Sequence, residues 1–255
     1  MSVQDLLDLS VETIRTSAAL CSDSSDRNWK SHHFSADLSG EIKAEMDFKL
    51  DRFIVGELQK TGIKILSEER SSEQKNLSKE LRFILDPLDG TYNFIRGLAE
   101  SAISLALWDG DMPVFGVIHL INERKTYWGG GNLGSFCDEA AIEVSTNVPQ
   151  NQAVVCTGFP VRLDKNKVSV IEGVTSVAKQ FGKVRMLGSA ATSLINVARG
   201  SADYYFEDEI MIWDVAAGLA IVEGSGGRIN LSPGSTDLSL KVKASNVDFS
   251  YLFDG

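Results

Sequence analysis

The chain has 255 residues, of which 43% are hydrophobic, and this is enough for one compact unit with two halves or for two modest domains. Charged residues make up 24% of the chain and the net charge is −10, a balance that excludes general binding to nucleic-acid phosphates and argues against disorder. The three cysteines are far apart and form no CxxC pair, which excludes a disulfide framework and a zinc knuckle.

Apolar runs along the chain are too short for a membrane-spanning helix. Acidic residues also interrupt the N-terminal apolar run, where a signal peptide would need an unbroken one. We therefore expect a soluble, cytoplasmic protein with no membrane partner and no nucleic-acid partner.

The first half of the chain begins with two predicted helices. Apolar residues at helical spacing predict an amphipathic helix over residues 3–20 and a second helix over Ala44–Lys60. Residues 22–40 between them are rich in Ser, Asp and His and are predicted to form a loop. A short strand is predicted at Ile63–Leu66, and the polar residues 69–80 indicate an exposed connection.

Strands dominate the middle of the chain. Leu81–Leu85 is an apolar run that stops at Asp86, as expected for a buried strand. Two further runs, Ala102–Trp108 and Val114–Leu120, flank Asp109-Gly110-Asp111 and predict a hairpin.

The second half alternates between strands and helices. Strands are predicted at Ala153–Cys156, Val184–Leu187, Ala202–Phe206 and Arg228–Leu231, and helices at Lys167–Phe181, Ser189–Arg199 and Trp213–Glu223. We place a boundary at Pro149–Asn151, which divides the chain into an N-terminal α+β half, 1–148, and a C-terminal α/β half, 149–255. The mixed order of elements predicts layers of helices and strands.

Two aspartates follow the buried strand. Asp86 and Asp89 are three residues apart, a proline between them fixes the backbone, and Gly90 permits a tight turn. Hard divalent ions such as Mg²⁺ take carboxylate and carbonyl oxygens, which the aspartates and the carbonyl of Leu88 could supply. The same residue types are typical of a surface turn, and this segment alone supports both interpretations equally.

Other acids also lie at the ends of predicted elements. Glu68 follows a short strand, where a solvated loop is the simpler interpretation. Asp214 begins a predicted helix and alone indicates an N-cap, and Asp47 alone indicates a helix surface. Because α/β folds place their sites at such strand and helix ends, the acids together favour a metal site.

The segment Asp86-Pro87-Leu88-Asp89-Gly90-Thr91-Tyr92-Asn93-Phe94 resembles the signature of the inositol monophosphatase family. Trp213–Gly218, continued by Glu223–Gly227, resembles the second signature, and Ser67-Glu68-Glu69 resembles the family's Gly-Glu-Glu element with Ser67 in place of Gly. The resemblance extends to Asn246 and implies an alternating α-β-α-β-α sandwich of the inositol monophosphatase and fructose-bisphosphatase type.

The resemblance implies specific roles for the acids. It implies a first Mg²⁺ bound by Glu68, Asp86 and the Leu88 carbonyl, a second bound by Asp86, Asp89 and Asp214, and a third, weaker ion near Glu68. Thr91 and Asp47 would orient and help to deprotonate the attacking water, with Glu68 as a third catalytic residue.

The resemblance also implies where the substrate binds. The phosphate would be held by Gly90 and Thr91, and the rest of the substrate would contact Gly188, Ser189, Ala190, Glu207 and Asp214. It further implies a lithium-sensitive homodimer that hydrolyses a small phosphate monoester, such as inositol monophosphate or a related sugar or polyol phosphate.

Departures from the family leave alternatives open. Ala44 replaces the usual Thr, and the segment Asp37–Asp47, a loop over the third-metal region in the family, lacks the common pattern, so the number of ions, two or three, stays open. The segment 95–100 lacks the usual aromatic residue and proline near the site. A 3′(2′),5′-bisphosphate nucleotidase or a histidinol-phosphatase is the alternative enzyme, and a Mg²⁺-binding regulatory protein is the non-enzymatic alternative.

Overall fold

The computed structural model describes residues 1–22, 36–73, 80–159, 172, 175–176, 179–246, 249 and 252. The described helices are α1 (Val3–Ser22), α2 (Ala36–Leu58), α3 (Thr91–Arg96), α4 (Ala190–Ala198) and α5 (Ile212–Gly224), with short 3-10 turns at Gln59–Thr61 and Glu68–Glu73. The described strands are β1 (Lys64–Ser67), β2 (Arg82–Asp89), β3 (Ala102–Asp109), β4 (Met112–Leu120), β5 (Lys125–Gly130), β6 (Gly134–Cys137), β7 (Ala140–Ala141), β8 (Val154–Thr157), β9 (Lys183–Arg185), β10 (Tyr204–Met211), β11 (Arg228–Pro233) and β12 (Ser239–Ser245).

These described strands form two sheets. In the first sheet, β1 to β7 lie in sequence order, with β1 parallel to β2 and each later pair antiparallel. In the second sheet the order is β11-β12-β10-β8-β9, and β8 runs parallel to both of its neighbours. The hairpin predicted from the apolar runs on either side of Gly110 is confirmed as β3 and β4.

The two faces of the first sheet are both covered. Successive side chains on a strand point to opposite faces, so Phe83 and Leu85 of β2 pack with the apolar residues of α1 and α2. Ile84 packs on the other face with α4, α5 and residues of the second sheet such as Tyr205 and Val242. The resulting layers run helices, sheet, helices, sheet, in agreement with the predicted layered α and β class.

Helix α5 occupies the layer between the sheets and is apolar on every side, as a helix buried all round must be. Close contact with the first sheet depends on Gly116 of β4, where an added Cβ would lie 2.1 Å from the carbonyl oxygen of Ala217. This close packing places the first turn of α5, which carries Asp214, beside β2.

Several sequence predictions differ from the structure. Helix α2 begins at Ala36, so the predictions of a loop over residues 36–40 and over Asp37–Asp47 are wrong. The rest of the predicted loop, residues 23–35, lies outside the described residues. Arg228–Leu231, the last strand predicted from the sequence, is followed by a further strand, β12, which pairs with both β10 and β11. The residues of β12 alternate between apolar and polar, a pattern typical of a half-buried strand.

Other features lie beyond what the structure tests. The helix predicted at Lys167–Phe181 falls mostly outside the described residues. The division into halves at 148/149 stays a prediction, although the two sheets use residues 64–141 and 154–245 respectively. Among the described helices, none is both long enough and apolar enough to cross a bilayer.

Candidate metal centre

An irregularity in β2 brings two acids to the same side of the sheet. Asp86 pairs with Ser104 of β3 and Asp89 pairs with Ala102, so three steps along β2 correspond to two along β3. In a regular strand, residues three apart point to opposite faces, and the extra residue of a bulge restores them to one face. Pro87 lies in this stretch and cannot donate a hydrogen bond to the ladder, which favours the irregularity.

The third acid of the cluster comes from α5. Carboxylate oxygens of Asp86, Asp89 and Asp214 all lie within 4.8 Å of one another. Helix α5 begins after Met211, which supplies no side-chain cap, and Asp214 lies in its first turn. Asp214 is therefore not the N-cap that its position alone indicates, because its carboxylate faces the other two aspartates.

Burial and mutual repulsion raise the pKa of two of these carboxyls. The pKa of Asp86 is raised well above its usual value, first by burial and then by the charges of Glu68, Asp89 and Asp214. The pKa of Asp214 is likewise raised well above its usual value by burial and by Asp89 and Glu68. These carboxyls are costly to ionise together unless positive charge is supplied.

Asp89 is held by donors from the second half of the chain. Its Oδ2 accepts a short hydrogen bond from the hydroxyl of Ser189 and another from the backbone N–H of Ala191 at 2.9 Å. Burial raises the pKa of Asp89 to about 6, although these hydrogen bonds act in the opposite direction. Ser189 also caps α4 by accepting from the backbone N–H of Thr192 at 3.1 Å.

This donor set fits a divalent cation. Hard cations such as Mg²⁺ prefer carboxylate oxygens, and three carboxylates of opposing halves converge within reach of one ion. The carbonyl oxygen of Leu88, which already accepts the Thr91 hydroxyl at 2.8 Å, has a second lone pair for a further partner. The backbone N–H of Leu88 donates to Asp86 Oδ1 at 2.9 Å and orients that carboxylate.

The turn after β2 requires glycine. Gly90 has φ +73, and an added Cβ would lie 2.5 Å from the carbonyl oxygen of Glu100. Asn93 lies in the helix that follows, and its Nδ2 contacts the carbonyl oxygens of Glu100 at 2.8 Å and Leu187 at 2.7 Å. Asn93 thereby fixes the loop that carries Gly188 against the turn after β2.

Glu207 is buried at the edge of the cluster and is not a surface residue. Its Oε2 accepts a hydrogen bond from the hydroxyl of Tyr205 at 3.0 Å, and an added Cβ at Gly158 would lie 2.6 Å from the same atom. Burial raises the pKa of Glu207 to about 7, and the nearby charge of Asp89 adds to this. Glu207 in turn raises the pKa of Asp214, so it borders the acidic cluster.

The remaining predicted residues have clear positions. Glu68 begins the 3-10 turn after β1 and is close enough for its charge to affect the carboxyls of Asp86 and Asp89. Asp47 is fully buried on α2. Ala190 begins α4 beside Ser189. The roles of these residues in binding or chemistry remain proposals.

Sequence reasoning missed several residues that build this site. Asn93, Tyr205 and Gly158 act through side-chain contacts or close approach that no local pattern predicts. Asp51 was detectable, because it follows Asp47 by one helical turn and so shares its face of α2. Two acids one turn apart on a predicted helix are a usable sequence signal.

The layered fold and the acidic centre together define a class of α/β protein with a cluster of carboxylates that could hold a metal ion. The model of the inositol monophosphatase family matches residues 3–248 of the chain. This chain belongs to the inositol monophosphatase family. The family acts on small phosphate substrates, and the acidic cluster is able to hold a metal ion.

Curated relatives carry more than one name. The chain is 35% identical to the "Fructose-1,6-bisphosphatase/inositol-1-monophosphatase" of Aquifex aeolicus over 64% of its own length and 61% of that protein. It is 32% identical to the "Inositol-1-monophosphatase" of Mesorhizobium japonicum over 78% of its length and 75% of that protein. It is also 31% identical to the "Nus factor SuhB" of Xylella fastidiosa, covering 74% of this chain and 68% of that protein.

Solved structures share the fold. The inositol monophosphatase of Thermotoga maritima superposes with a TM-score of 0.73 at 27% identity, covering 95% of this chain and 92% of that one. The extragenic suppressor protein SuhB of Bartonella henselae superposes with a TM-score of 0.77 at 24% identity over 98% of both chains. The predicted fold class, a layered sandwich of the inositol monophosphatase type, is confirmed.

Proposed function

We propose that this protein is a Mg²⁺-dependent phosphatase that hydrolyses a small phosphate monoester, inositol monophosphate or a related sugar or polyol phosphate. The observation that carries this proposal is the convergence of Asp86, Asp89 and Asp214 within 4.8 Å, next to a buried glutamate, Glu207. Two of the three relatives described above have names that include inositol-1-monophosphatase, and these names support the choice of substrate class.

Metal binding is the first part of the proposal. Glu68, Asp86, Asp89 and Asp214, with the carbonyl of Leu88, hold two or three Mg²⁺ ions. When bound, these ions supply positive charge that stabilises the phosphoryl group and lowers the pKa of the attacking water. Phosphoryl transfer depends on positioning and charge neutralisation, so the site needs no covalent nucleophile.

The chain's own residues orient the reactants. Thr91 and Asp47, together with Glu68, orient the attacking water and accept its proton. The backbone amides of Gly90 and Thr91 hold the phosphate oxygens. The turn geometry supports this role, because Gly90 keeps the backbone open where any side chain would collide with Glu100.

The alcohol part of the substrate contacts the second half of the chain. Glu207 accepts a hydrogen bond from a substrate hydroxyl, and Gly188, Ser189 and Ala190 line the same side. Burial of Glu207 beside Asp214 supports this role, since a fully exposed glutamate would not discriminate between substrates. We also propose that the enzyme is a lithium-sensitive homodimer in the cytoplasm, without a nucleic-acid or membrane partner.

A substrate panel tests the proposal directly. Purified protein with Mg²⁺ should release phosphate from inositol monophosphate or a sugar phosphate, and a chelator should abolish the release. Fructose 1,6-bisphosphate, histidinol phosphate and a 3′(2′),5′-bisphosphate nucleotide belong in the panel, because higher turnover on one of them would replace the polyol assignment. Turnover that continues in chelator would contradict the metal mechanism.

A second candidate function is regulatory. The relative named "Nus factor SuhB" in Xylella fastidiosa favours a protein that binds metal but acts through another macromolecule. Such a protein would bind Mg²⁺ and release phosphate from no member of the panel. Light scattering at micromolar concentration, with and without cell-derived RNA, would then test the homodimer and the absence of a nucleic-acid partner.

A further inference from the structure

A second, smaller network of charged and polar groups lies behind Glu68. Asp51 of α2 accepts the hydroxyl of Ser67 on Oδ1 at 2.6 Å and the Nε of Arg70 on Oδ2 at 2.8 Å. A second guanidinium nitrogen of Arg70 lies 2.7 Å from the same Oδ2. Asp51 is 3% exposed and Ser67 is fully buried, so solvent does not compete for the hydrogen bond between them, whereas Arg70 closes the network from the solvent side with a side chain that is 41% exposed.

The two residues that contact Asp51, Ser67 and Arg70, lie on either side of Glu68 in the sequence. Ser67 is the last residue of β1, and Arg70 lies in the 3-10 turn that Glu68 begins. The residues on both sides of Glu68 are therefore tied to a single carboxylate on a neighbouring helix. Anchoring the backbone before and after a residue restricts the positions that its side chain can reach.

Glu68 needs such an anchor because its surroundings repel it. Its charge raises the pKa values of Asp86 and Asp214, so the carboxylates of the cluster and that of Glu68 repel one another as like charges. Without a restraint, a short turn on the surface would relax away from this repulsion. The guanidinium of Arg70 compensates the buried negative charge of Asp51. Asp51 is therefore not subject to the uncompensated repulsion that acts on Glu68.

We propose that Asp51, Ser67 and Arg70 form a clamp that holds Glu68 in position to bind a divalent cation. Asp51 is a positioning residue, since it acts on the ion only through Glu68. The inference rests on the proposed function for the role of Glu68. Ser67 stands where the family resemblance has glycine, and its hydroxyl is one of the two donors of the clamp.

A simpler role, stabilisation of the fold alone, makes a different prediction. Asp203 offers a matched control, because it is a buried aspartate that accepts a serine hydroxyl, from Ser145 at 2.5 Å, and the backbone N–H of Val154 at 2.7 Å. Asp203 directly precedes β10 and lies four residues before Glu207, roughly 13 Å away along the extended chain. Loss of either network should lower stability, but only loss of the clamp should change metal affinity.

The test measures Mg²⁺ affinity by isothermal titration calorimetry on the intact protein. Asp51→Asn should raise the Kd about ten- to hundredfold, as is typical when a residue that orients a metal ligand is lost. Ser67→Ala removes one hydrogen bond and should raise the Kd roughly fivefold. Asp203→Asn and Ser145→Ala should leave the Kd unchanged while lowering the thermal midpoint of the metal-free protein.

The outcomes separate the clamp from the proposed function. If Asp51→Asn fails to fold, Ser67→Ala and Arg70→Ala carry the test. Unchanged Mg²⁺ affinity in these folded variants would overturn the clamp even in an active phosphatase. Weakened affinity in a protein that hydrolyses no panel substrate would support the clamp and overturn the proposed function. In an active enzyme, saturating Mg²⁺ should restore turnover to Asp51→Asn.

Discussion

The molecule holds its buried acids in two contrasting ways. At the candidate metal centre, Asp86, Asp89 and Asp214 bring carboxylate oxygens within 4.8 Å of one another. Just before β10 of the second sheet, Asp203 belongs to no such cluster among the described residues and instead accepts hydrogen bonds from Ser145 and the backbone of Val154. Both arrangements are buried, so burial alone does not mark a functional site.

The difference lies in what balances the charge. Protein donors compensate Asp203, as is usual for a buried charge in a fold. The site acids instead face one another, so burial and repulsion raise the pKa values of Asp86 and Asp214 even though Asp89 has donors of its own. Repulsion of this kind persists only where the rest of the fold stabilises it, and it is typical of a functional site such as one that could hold a cation.

The largest expected effect comes from removing one charge of the cluster. Asp214→Asn should lower kcat on the order of 10²-fold or more, because it keeps the size of the side chain but removes a negative charge from the proposed metal site. In chelator, the same change should raise the thermal midpoint, since it relieves the repulsion from Asp89. Asp203→Asn should do the reverse, with a lower midpoint and nearly normal kcat. Near-normal kcat in Asp214→Asn would limit Asp214 to a structural role in the first turn of α5.

Metal binding should stabilise the folded state through the cluster alone. At 100 times the Kd, Mg²⁺ should add about 2.7 kcal/mol to the free energy of unfolding, measured by chemical denaturation. Asp86→Asn should lose most of this gain, whereas Asp203→Asn should keep it. Equal stabilisation of the two variants by Mg²⁺ would place the ion elsewhere in the molecule.

Glu207 should affect recognition and leave the metal chemistry intact. Glu207→Ala should lower kcat/KM for a polyol phosphate roughly ten- to hundredfold, which corresponds to one charge-assisted hydrogen bond of about 1.5–3 kcal/mol. The same variant should lose little on p-nitrophenyl phosphate, which has no hydroxyl for Glu207 to contact. Equal losses on both substrates would mean that Glu207 acts in metal binding or in stabilising the fold. No loss on either substrate would mean that Glu207 has no role in the reaction.

The smallest expected effect is on the pH dependence of stability. The pKa of Glu207 is raised from 4.5 to about 7 by burial, so the folded state binds its proton more tightly than the unfolded state does. Stability from this group is present below about pH 4.5 and is lost as the pH rises towards 7. In chelator, Glu207→Gln should therefore reduce the fall in unfolding free energy between about pH 5 and pH 7 by roughly 1–2 kcal/mol. A variant with an unchanged pH profile would show that Glu207 is already ionised at pH 5.

The sequence by itself determined the elements with strong periodicity. The apolar run before Asp86 predicted a buried strand, and the two runs around Gly110 predicted a hairpin, because each depends on residues close together in the chain. The paired signatures predicted the family and its fold, since those motifs carry the turn and ligand chemistry within a few residues. The sequence could not show that β2 continues to Asp89, because Asp, Pro and Gly are typical of turns.

Tertiary structure alone decided how the acids are held. Whether Asp86 and Asp89 share a face depends on a bulge against β3, which is a property of strand pairing and not of spacing. The environment of Glu207 also depends on tertiary structure, because Glu207 contacts the hydroxyl of Tyr205 and is approached closely by Gly158, the residue after β8. Compensation of the charge on Asp51 is likewise a tertiary property. Its hydrogen bond from Ser67 and its ion pair with Arg70 form only when α2 packs against the end of β1 and the turn that follows it. Distances between side chains on different elements set these interactions, and a linear sequence does not encode such distances locally.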